Sequence, residues 1–346
     1  MPESIKSILT INRMETHINI IFSTPELITK QFPPTLKKGH YLFSINSKED
    51  RVWDLVVVYE NIYETYNLKY KKGGLVFYSG EPPIVKTYSK EFIDLFDHII
   101  TAHKYIKKEN NHIEQQALPW YFGYNLPENK INFSYDDLVK MPIPEKSKKI
   151  SFITSNREFL PGHVARVRFY SLLKEKLGDR VDFFGNGIKP IADKKDALLD
   201  YQFSICIENS CIDDYWSEKI ADPLLSYTVP IYYGCTNINK YFEDDSFIQI
   251  NIKEPHKAVQ TIEQILNNSD SIYKTHLEAI CDARNKLLHE YNLFSSIISV
   301  KERFIKNDSN RLFRVEIKPY SMYKANKRGE FYLKLKRFFL RKINRY

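Results

Sequence analysis

Several short runs, in which nearly every side chain is apolar and many are β-branched or aromatic, constrain this chain most: WDLVVVY from Trp53, GLVFY from Gly74, KISFIT from Lys149 to Thr154, and QFSICIE from Gln202 to Glu208. Such runs lack the polar alternation of a half-exposed strand, so the strands they form must be covered on both faces. Helical patterns separate them, which predicts parallel sheets flanked by helices. The first series also contains INIIF from Ile18, a helical pattern through Phe92, Leu95 and Phe96, and the apolar IITA. A polar, proline-bearing linker, MPIPEKSKK from Met141 to Lys149, precedes the second series. There KISFIT is followed by a helix from Gly162 to Leu177, the strand VDFFG, a short helix DKKDALLDY and QFSICIE. A helix around Ser217 to Ser226, the strand VPIYYG, the short strand SFIQI and helices from about His256 complete it. The expectation is an α/β chain of two Rossmann-like domains, residues 1–145 and 146–310, with a tail over 311–346. A cleft between two such domains, at the carboxyl ends of parallel strands, is where these folds bind ligands.

Composition narrows the function classes. No window approaches the roughly 18 uninterrupted apolar residues of a membrane span, and MPESIKSILTINRMETH has no apolar block of signal-peptide length, so a cytoplasmic protein is expected. Cys206, Cys211, Cys235 and Cys281 are irregularly spaced, without a C-x-x-C pair, and no H-E-x-x-H is present; they read as ordinary thiols rather than zinc ligands. The net charge of +8 is concentrated between Lys324 and Tyr346, where nine Lys and Arg face the single Glu330. The body is therefore neutral, and a nucleic-acid partner is not expected.

Three segments carry candidate chemistry. ENSCIDDYWSEK, Glu208 to Lys219, leaves a buried strand and enters a helix, and a helix N-terminus offers free N–H groups to phosphate. There Lys219 supplies positive charge for a pyrophosphate, Tyr215 a hydroxyl donor, and Glu218 an acceptor for ribose or sugar hydroxyls; the alternative is a cap that merely solubilises a helix. In the helix from Gly162, Arg166 and Arg168 point in nearly opposite directions, so only one faces the cleft. Arg166 shares its face with Tyr170, Leu173 and Leu177, and there it can clamp a pyrophosphate bidentately; the alternative is a surface arginine. Glu81 lies in VFYSGEPPIV, where Gly80, Pro82 and Pro83 force a stiff turn after a strand, a place for a general base or for a solvated carboxylate. The acidic pairs Asp213–Asp214 and Asp244–Asp245 lack an isolated D-x-D form and read as caps and turn formers, so no metal site is expected.

The order and spacing of these segments resemble the family 10 fucosyltransferases, α-1,3/1,4-specific and of bacterial type. YQFSICIENSCIDDYWSEKIADPLLSYTVPIYYG, Tyr201 to Gly234, is similar to the family's donor-domain signature of apolar strand, Glu-Asn, Tyr-x-Ser/Thr-Glu-Lys, helix and Val/Ile-Pro-Ile/Val-Tyr-x-Gly. SNREFLPGHVARVRFYSLL resembles the segment bringing the donor-binding arginine, and VFYSGEP the Phe-Tyr-Thr-Gly-Glu-Asn turn, with Pro82 in place of the asparagine. The resemblance implies a GT-B fold, acceptor domain first and GDP-sugar domain second. It implies that Arg166 and Lys219 hold the pyrophosphate, supported by Tyr215, that Glu218 contacts ribose or sugar, and that Glu208 with Asn209 shapes the site. Glu81 would deprotonate the acceptor hydroxyl as it attacks opposite GDP, inverting the anomeric carbon. The implied donor is GDP-fucose, with no cofactor required, and the implied acceptor a glycan of surface polysaccharide or lipopolysaccharide O-antigen, possibly lipid-linked. Another GDP-sugar, or an inactive relative that binds glycan or membrane, are the alternatives.

From Phe331, FYLKLKRFFLRKINRY places Phe331, Tyr332, Leu335, Phe338, Phe339, Ile343 and Tyr346 on one helical arc, with Leu333 and Leu340 on the other side. A cationic helix of this kind suits an anionic membrane surface, and such a tail would hold the protein on the inner face of the cell membrane; a helix packing on its own domain and a disordered solubilising tail are the alternatives.

Overall fold

The computed structural model describes residues 14–156, 158, 160–306, 311–323 and 327–343, with the side chains of 328 and 341–343 excepted. The opening stretch through residue 13, and the expected arc positions Ile343 and Tyr346 as side chains, lie outside the described residues.

In chain order, the strands are β1 (Thr16–Ile21), β2 (Lys37–Lys38), β3 (Tyr41–Ile45), β4 (Val52–Trp53), β5 (Leu55–Tyr59), β6 (Tyr66–Lys71), β7 (Leu75–Tyr78), β8 (His98–Thr101), β9 (Asn111–Ile113), β10 (Tyr124–Asn125), β11 (Lys130–Ile131), β12 (Lys148–Ile153), β13 (Asp182–Phe184), β14 (Tyr201–Ile207), β15 (Val229–Tyr233), β16 (Ile248–Gln249) and β17 (Leu312–Ile317). The helices are α1 (Pro25–Thr29), α2 (Lys90–Ile93), α3 (Tyr135–Lys140), α4 (Pro161–Leu177), α5 (Glu218–Leu225), α6 (Pro255–Asn267), α7 (Ser269–His289), α8 (Leu293–Phe304) and α9 (Lys327–Ile343).

The first sheet has the order β2-β3-β1-β5-β7-β8-β9 and is parallel except for the edge pair β2–β3. The second is wholly parallel, β13-β12-β14-β15-β16. These are the two α/β halves expected from the sequence. The apolar runs explain it. Along β5, Leu55, Val57 and Tyr59 enter the core on one face, while Val56 and Val58 enter a separate core on the other. A strand with both faces buried has no room for polar alternation.

The exchange of chain between halves differs from divisions at 145 and 310. Trp120, Phe122 and Leu138, upstream of the polar linker, are fully buried in the core of the second sheet. At the other end the chain crosses back after Asn292, and α8 buries Leu293, Phe294, Ile297 and Val300 in the core of the first sheet. Phe294 stacks on Phe32 with ring centroids 4.3 Å apart and meets Phe43 edge-on at 5.0 Å. β17, within the expected tail, then pairs antiparallel with β6 from Leu312↔Lys71 to Ile317↔Tyr66. Neither β6 nor β17 has an apolar run, because each is half-exposed and needs its long-range partner. Among the described residues no helix is long and apolar enough to cross a membrane.

Because α8 ties the two ends of the chain together, Phe294→Ala is expected to destabilise the protein by about 3–5 kcal/mol. Chemical denaturation measures this, and a change within error would show that α8 is peripheral to the first core.

Candidate active site

β14 delivers the second domain's site. Its last residues run into Glu208, whose carboxylate is 2% exposed. Oε1 accepts the backbone N–H of Ser217 at 2.8 Å, and the Ser217 hydroxyl lies 2.8 Å from both oxygens. Lys219 Nζ stands 3.5 Å from Glu208 Oε2 and 3.0 Å from Glu218 Oε1. Ser217 is also the N-cap of α5, accepting from the Lys219 N–H, so capping the helix and holding Glu208 fall to one residue. Burial acts against the Lys219 ammonium, but Glu218 and Glu208 outweigh it and hold the group firmly charged. The same cation, with Lys194, keeps Glu218 below the ordinary carboxylate range despite burial.

α4 approaches from the other side. A side chain at Gly162 would run into the backbone carbonyl of Asn209, and one at Gly234 into the Glu208 side chain, so two glycines let three segments close on the Glu208–Asn209 loop. This approach brings Arg166 to the loop, where Nη1 donates to Asn209 Oδ1 at 2.5 Å and Nη2 to Ser155 Oγ at 3.3 Å. Arg166 is 6% exposed, and its Nε has no hydrogen-bond partner among the described residues. Burial lowers its pKa while Glu208 and Glu218 raise it, and a guanidinium keeps its charge under such conditions. Arg168 is exposed, as the helical phasing required.

Arg166, Glu218 and Lys219 line a cavity of about 290 Å³ together with Thr154, Lys194 and Tyr121. Glu208 and Asn209 stand behind it as supports. Tyr215 is buried, and burial with the charges of Glu208, Glu81 and Glu218 pushes its phenol well above the ordinary range, so its hydroxyl stays a donor.

Glu81 belongs to the first domain, in the turn after β7. Its support comes from Glu60, a non-glycine residue at φ 53° with a buried carboxylate. Glu60 Oε2 accepts the Gly80 N–H at 2.5 Å, the Glu81 N–H at 3.3 Å and the Tyr88 hydroxyl at 2.6 Å; Oε1 pairs with Lys86 at 2.6 Å. His103 Nε2 donates to the Glu81 carbonyl at 2.7 Å; burial drives this imidazole down to about 4, so it is neutral near pH 7. The Glu81 side chain reaches solvent, yet the cleft walls desolvate it and Glu60 repels it, which raises its pKa; Lys86 and Lys219 oppose the shift. Lys219 and Glu218 of the second domain are among the charges that act on Glu81.

Sequence reasoning missed Lys194, Asp222, Tyr121, Glu60 and His103. Fully buried Asp222 accepts the Tyr121 and Phe122 N–H groups at 2.9 and 3.0 Å and pairs with Lys194 at 2.6 Å, so one carboxylate fastens the interdomain segment to α5. Lys194 Nζ lies 5.2 Å over the Tyr121 ring. The spacing of Glu218 and Asp222, one helical turn apart, was a usable signal; Glu60 carried none. The acidic pairs have structural roles: Asp213 pairs with Lys104 at 2.7 Å, Asp214 accepts from Lys240 and Tyr241, and Asp244 accepts from Asn239. Among the described residues no group of three or more His, Cys, Asp or Glu is arranged to hold a metal ion.

Comparison with known proteins gives this geometry a context. Residues 143–292 match the model for the glycosyltransferase family 10 (fucosyltransferase) C-terminal domain. An α-(1,3)-fucosyltransferase of Helicobacter pylori is 28% identical over 177 residues, covering 48% of this chain and 35% of that protein. GDP-fucose protein O-fucosyltransferase 3 of Danio rerio is 38% identical over 82 residues, covering 23% and 18%. The matches thus span about a third or less of these relatives. A solved α1,3-fucosyltransferase with GDP-fucose covers 88% of this chain and 95% of its own, at 20% identity and a TM-score of 0.49. The segment holding Arg166, Glu208, Asn209, Tyr215, Glu218 and Lys219 lies inside the matched stretch, so it is this part of the chain that is similar to the C-terminal domain of the family 10 fucosyltransferases.

Proposed function

We propose that this protein transfers fucose from GDP-fucose to a hydroxyl of a glycan acceptor, with inversion at the anomeric carbon. The observation that carries the reading is Arg166: a buried guanidinium with an unpartnered Nε in the wall of a cavity that also holds Lys219, opposite a carboxylate of raised pKa. Burying a cation is costly unless an anion meets it, and a pyrophosphate supplies one. In the reaction the bond between the anomeric carbon and the β-phosphate oxygen breaks, and its electron pair leaves with GDP. Arg166 and Lys219 offset the charge that develops there, Tyr215 donates to a phosphate oxygen, and Glu218 accepts from ribose or sugar hydroxyls. Glu208 and Asn209 hold these groups in place. On the opposite face the acceptor oxygen attacks and its proton passes to the Glu81 carboxylate. The cations of this chain supply the positive charge, so the step as drawn needs no cofactor.

The setting is surface-glycan synthesis, such as O-antigen assembly on a lipid-linked acceptor, at the cytoplasmic face of the membrane. The tail supports this. α9 exposes Phe331, Tyr332, Leu335, Phe338 and Phe339 with Lys334 and Lys336, an aromatic and cationic surface suited to anionic lipid headgroups.

Three outcomes are expected. GDP, and not UDP, raises the thermal midpoint of the wild type; Arg166→Ala abolishes the shift and Arg168→Ala keeps it, whereas equal stabilisation by UDP removes the donor assignment. Glu81→Gln lowers kcat by roughly 10²–10⁴-fold with GDP affinity unchanged. The base works only when ionised, so wild-type turnover should fall on acidification with a midpoint above the ordinary carboxylate range, and a pH–rate profile flat across that region argues against Glu81. Replacing Phe338 and Phe339 by Ser is expected to reduce co-sedimentation with phosphatidylserine vesicles and to leave GDP binding intact; undiminished binding to vesicles refutes the membrane role.

A further inference from the structure

α9 does not simply extend away from the body. Leu333, on the side opposite the aromatic arc, is 7% exposed, and Arg337 one turn later and Leu340 beyond it are half-buried, so a narrow stripe docks while the wider arc faces out. The docked stripe touches both halves of the molecule. α9 lies against α4, the helix that carries Arg166. Arg337 Nε donates to the carbonyl of Ile84 at 2.7 Å, and Nη2 donates to the carbonyl of Val85. These two carbonyls close the turn that begins at Glu81, in which the N–H groups of Val85 and Lys86 both return to the Pro82 carbonyl.

The turn is thus held from two sides. Glu60 binds the N–H groups at its start, and the Arg337 fork binds the carbonyls at its end. Glu60 fixes the main chain of residues 80 and 81 and holds the far limb through the Lys86 side chain, while the main-chain carbonyls of that limb are met by Arg337. The far limb meets Arg337 on a helix braced against the donor domain. A guanidinium grips two neighbouring carbonyls in one plane, which a lysine cannot do.

We propose that Arg337 is a positioning residue: docked α9 is a strap that holds the Glu81 turn at a set distance from the donor-binding helix α4. This rests on the reading of Glu81 as the base. Because the outer face of the same helix is the aromatic arc, whatever engages that arc acts on the strap, and the placement of the base becomes linked to contact at the tail.

The test uses the full chain, with GDP-fucose as donor and water as the attacking nucleophile, whose proton Glu81 takes as it would an acceptor's. Arg337→Ala is expected to lower kcat for GDP release about tenfold to a hundredfold, the effect of displacing a reacting group by about an ångström. KM for GDP-fucose and GDP affinity should change less than about twofold, because Arg337 touches no donor-binding residue. Arg337→Lys should restore only part of the rate. Phe338→Ser, on the outer face, should match the wild type in vesicle-free buffer. A purely structural role would lower the melting temperature of Arg337→Ala without this separation of kcat from KM. Wild-type kcat in Arg337→Ala, or an equal loss in Phe338→Ser, overturns the strap. A wild type that neither binds GDP nor releases it from GDP-fucose overturns the transferase reading itself, so the two failures are distinct.

Discussion

The second domain of this molecule depends on a carboxylate that water barely reaches. Glu208 lies at the end of β14, where burial raises its pKa and works against its charge, and Lys219 with the Ser217 hydroxyl and N–H compensates. Removing one member of such a group strands the other; for buried ion pairs the loss is about 3–5 kcal/mol. The network therefore fixes where α5 begins, and with it the direction of Lys219 and Glu218. The glycines at 162 and 234 permit the crowding that brings Arg166 into the same wall.

The first domain is organised around a turn. Its organising group, Glu60, is also a buried carboxylate, but it gathers N–H groups, a phenol and Lys86 around a turn that must present a second carboxylate to the cleft. Glu60 raises the basicity of Glu81 by repulsion, while Lys219 across the cleft opposes it. For the base proposed here this balance matters, because a carboxylate that is too acidic takes no proton and one that is too basic arrives protonated; burial and Glu60 push Glu81 up while Lys86 and Lys219 pull it down. The two halves are joined by Asp222, which binds the main chain at Tyr121 and Phe122, and by the ion pair of Lys104 with Asp213. Electrostatic coupling across the cleft thus has a mechanical counterpart.

The cavity wall of the second domain was legible because most of its charged residues are contiguous. The segment from Glu208 to Lys219 is one strand exit and one helix entry, so burial, cap and charge can be read in one pass, and the 3.6-residue period was enough to separate Arg166 from Arg168. Glu60 and His103 were not legible: each sits in ordinary surroundings, and its role comes from residues 20 or more positions away. The tail shows the same division. Leu333 and Leu340 looked like flaws in an amphipathic pattern read for one apolar face, yet Leu333, with Arg337, forms the stripe that docks.

By itself, the sequence determined the two parallel-sheet halves, the stretch of the second domain that resembles family 10 and the face of α4 that meets the cavity, because runs of buried residues, local spacing and helical phase are properties of neighbours along the chain. Only the tertiary structure decided where the chain changes domain, how β17 completes the sheet around β6, what holds the Glu81 turn and where α9 lies. Each of these depends on contacts between segments distant in sequence, whose partners leave no periodic trace in either segment alone.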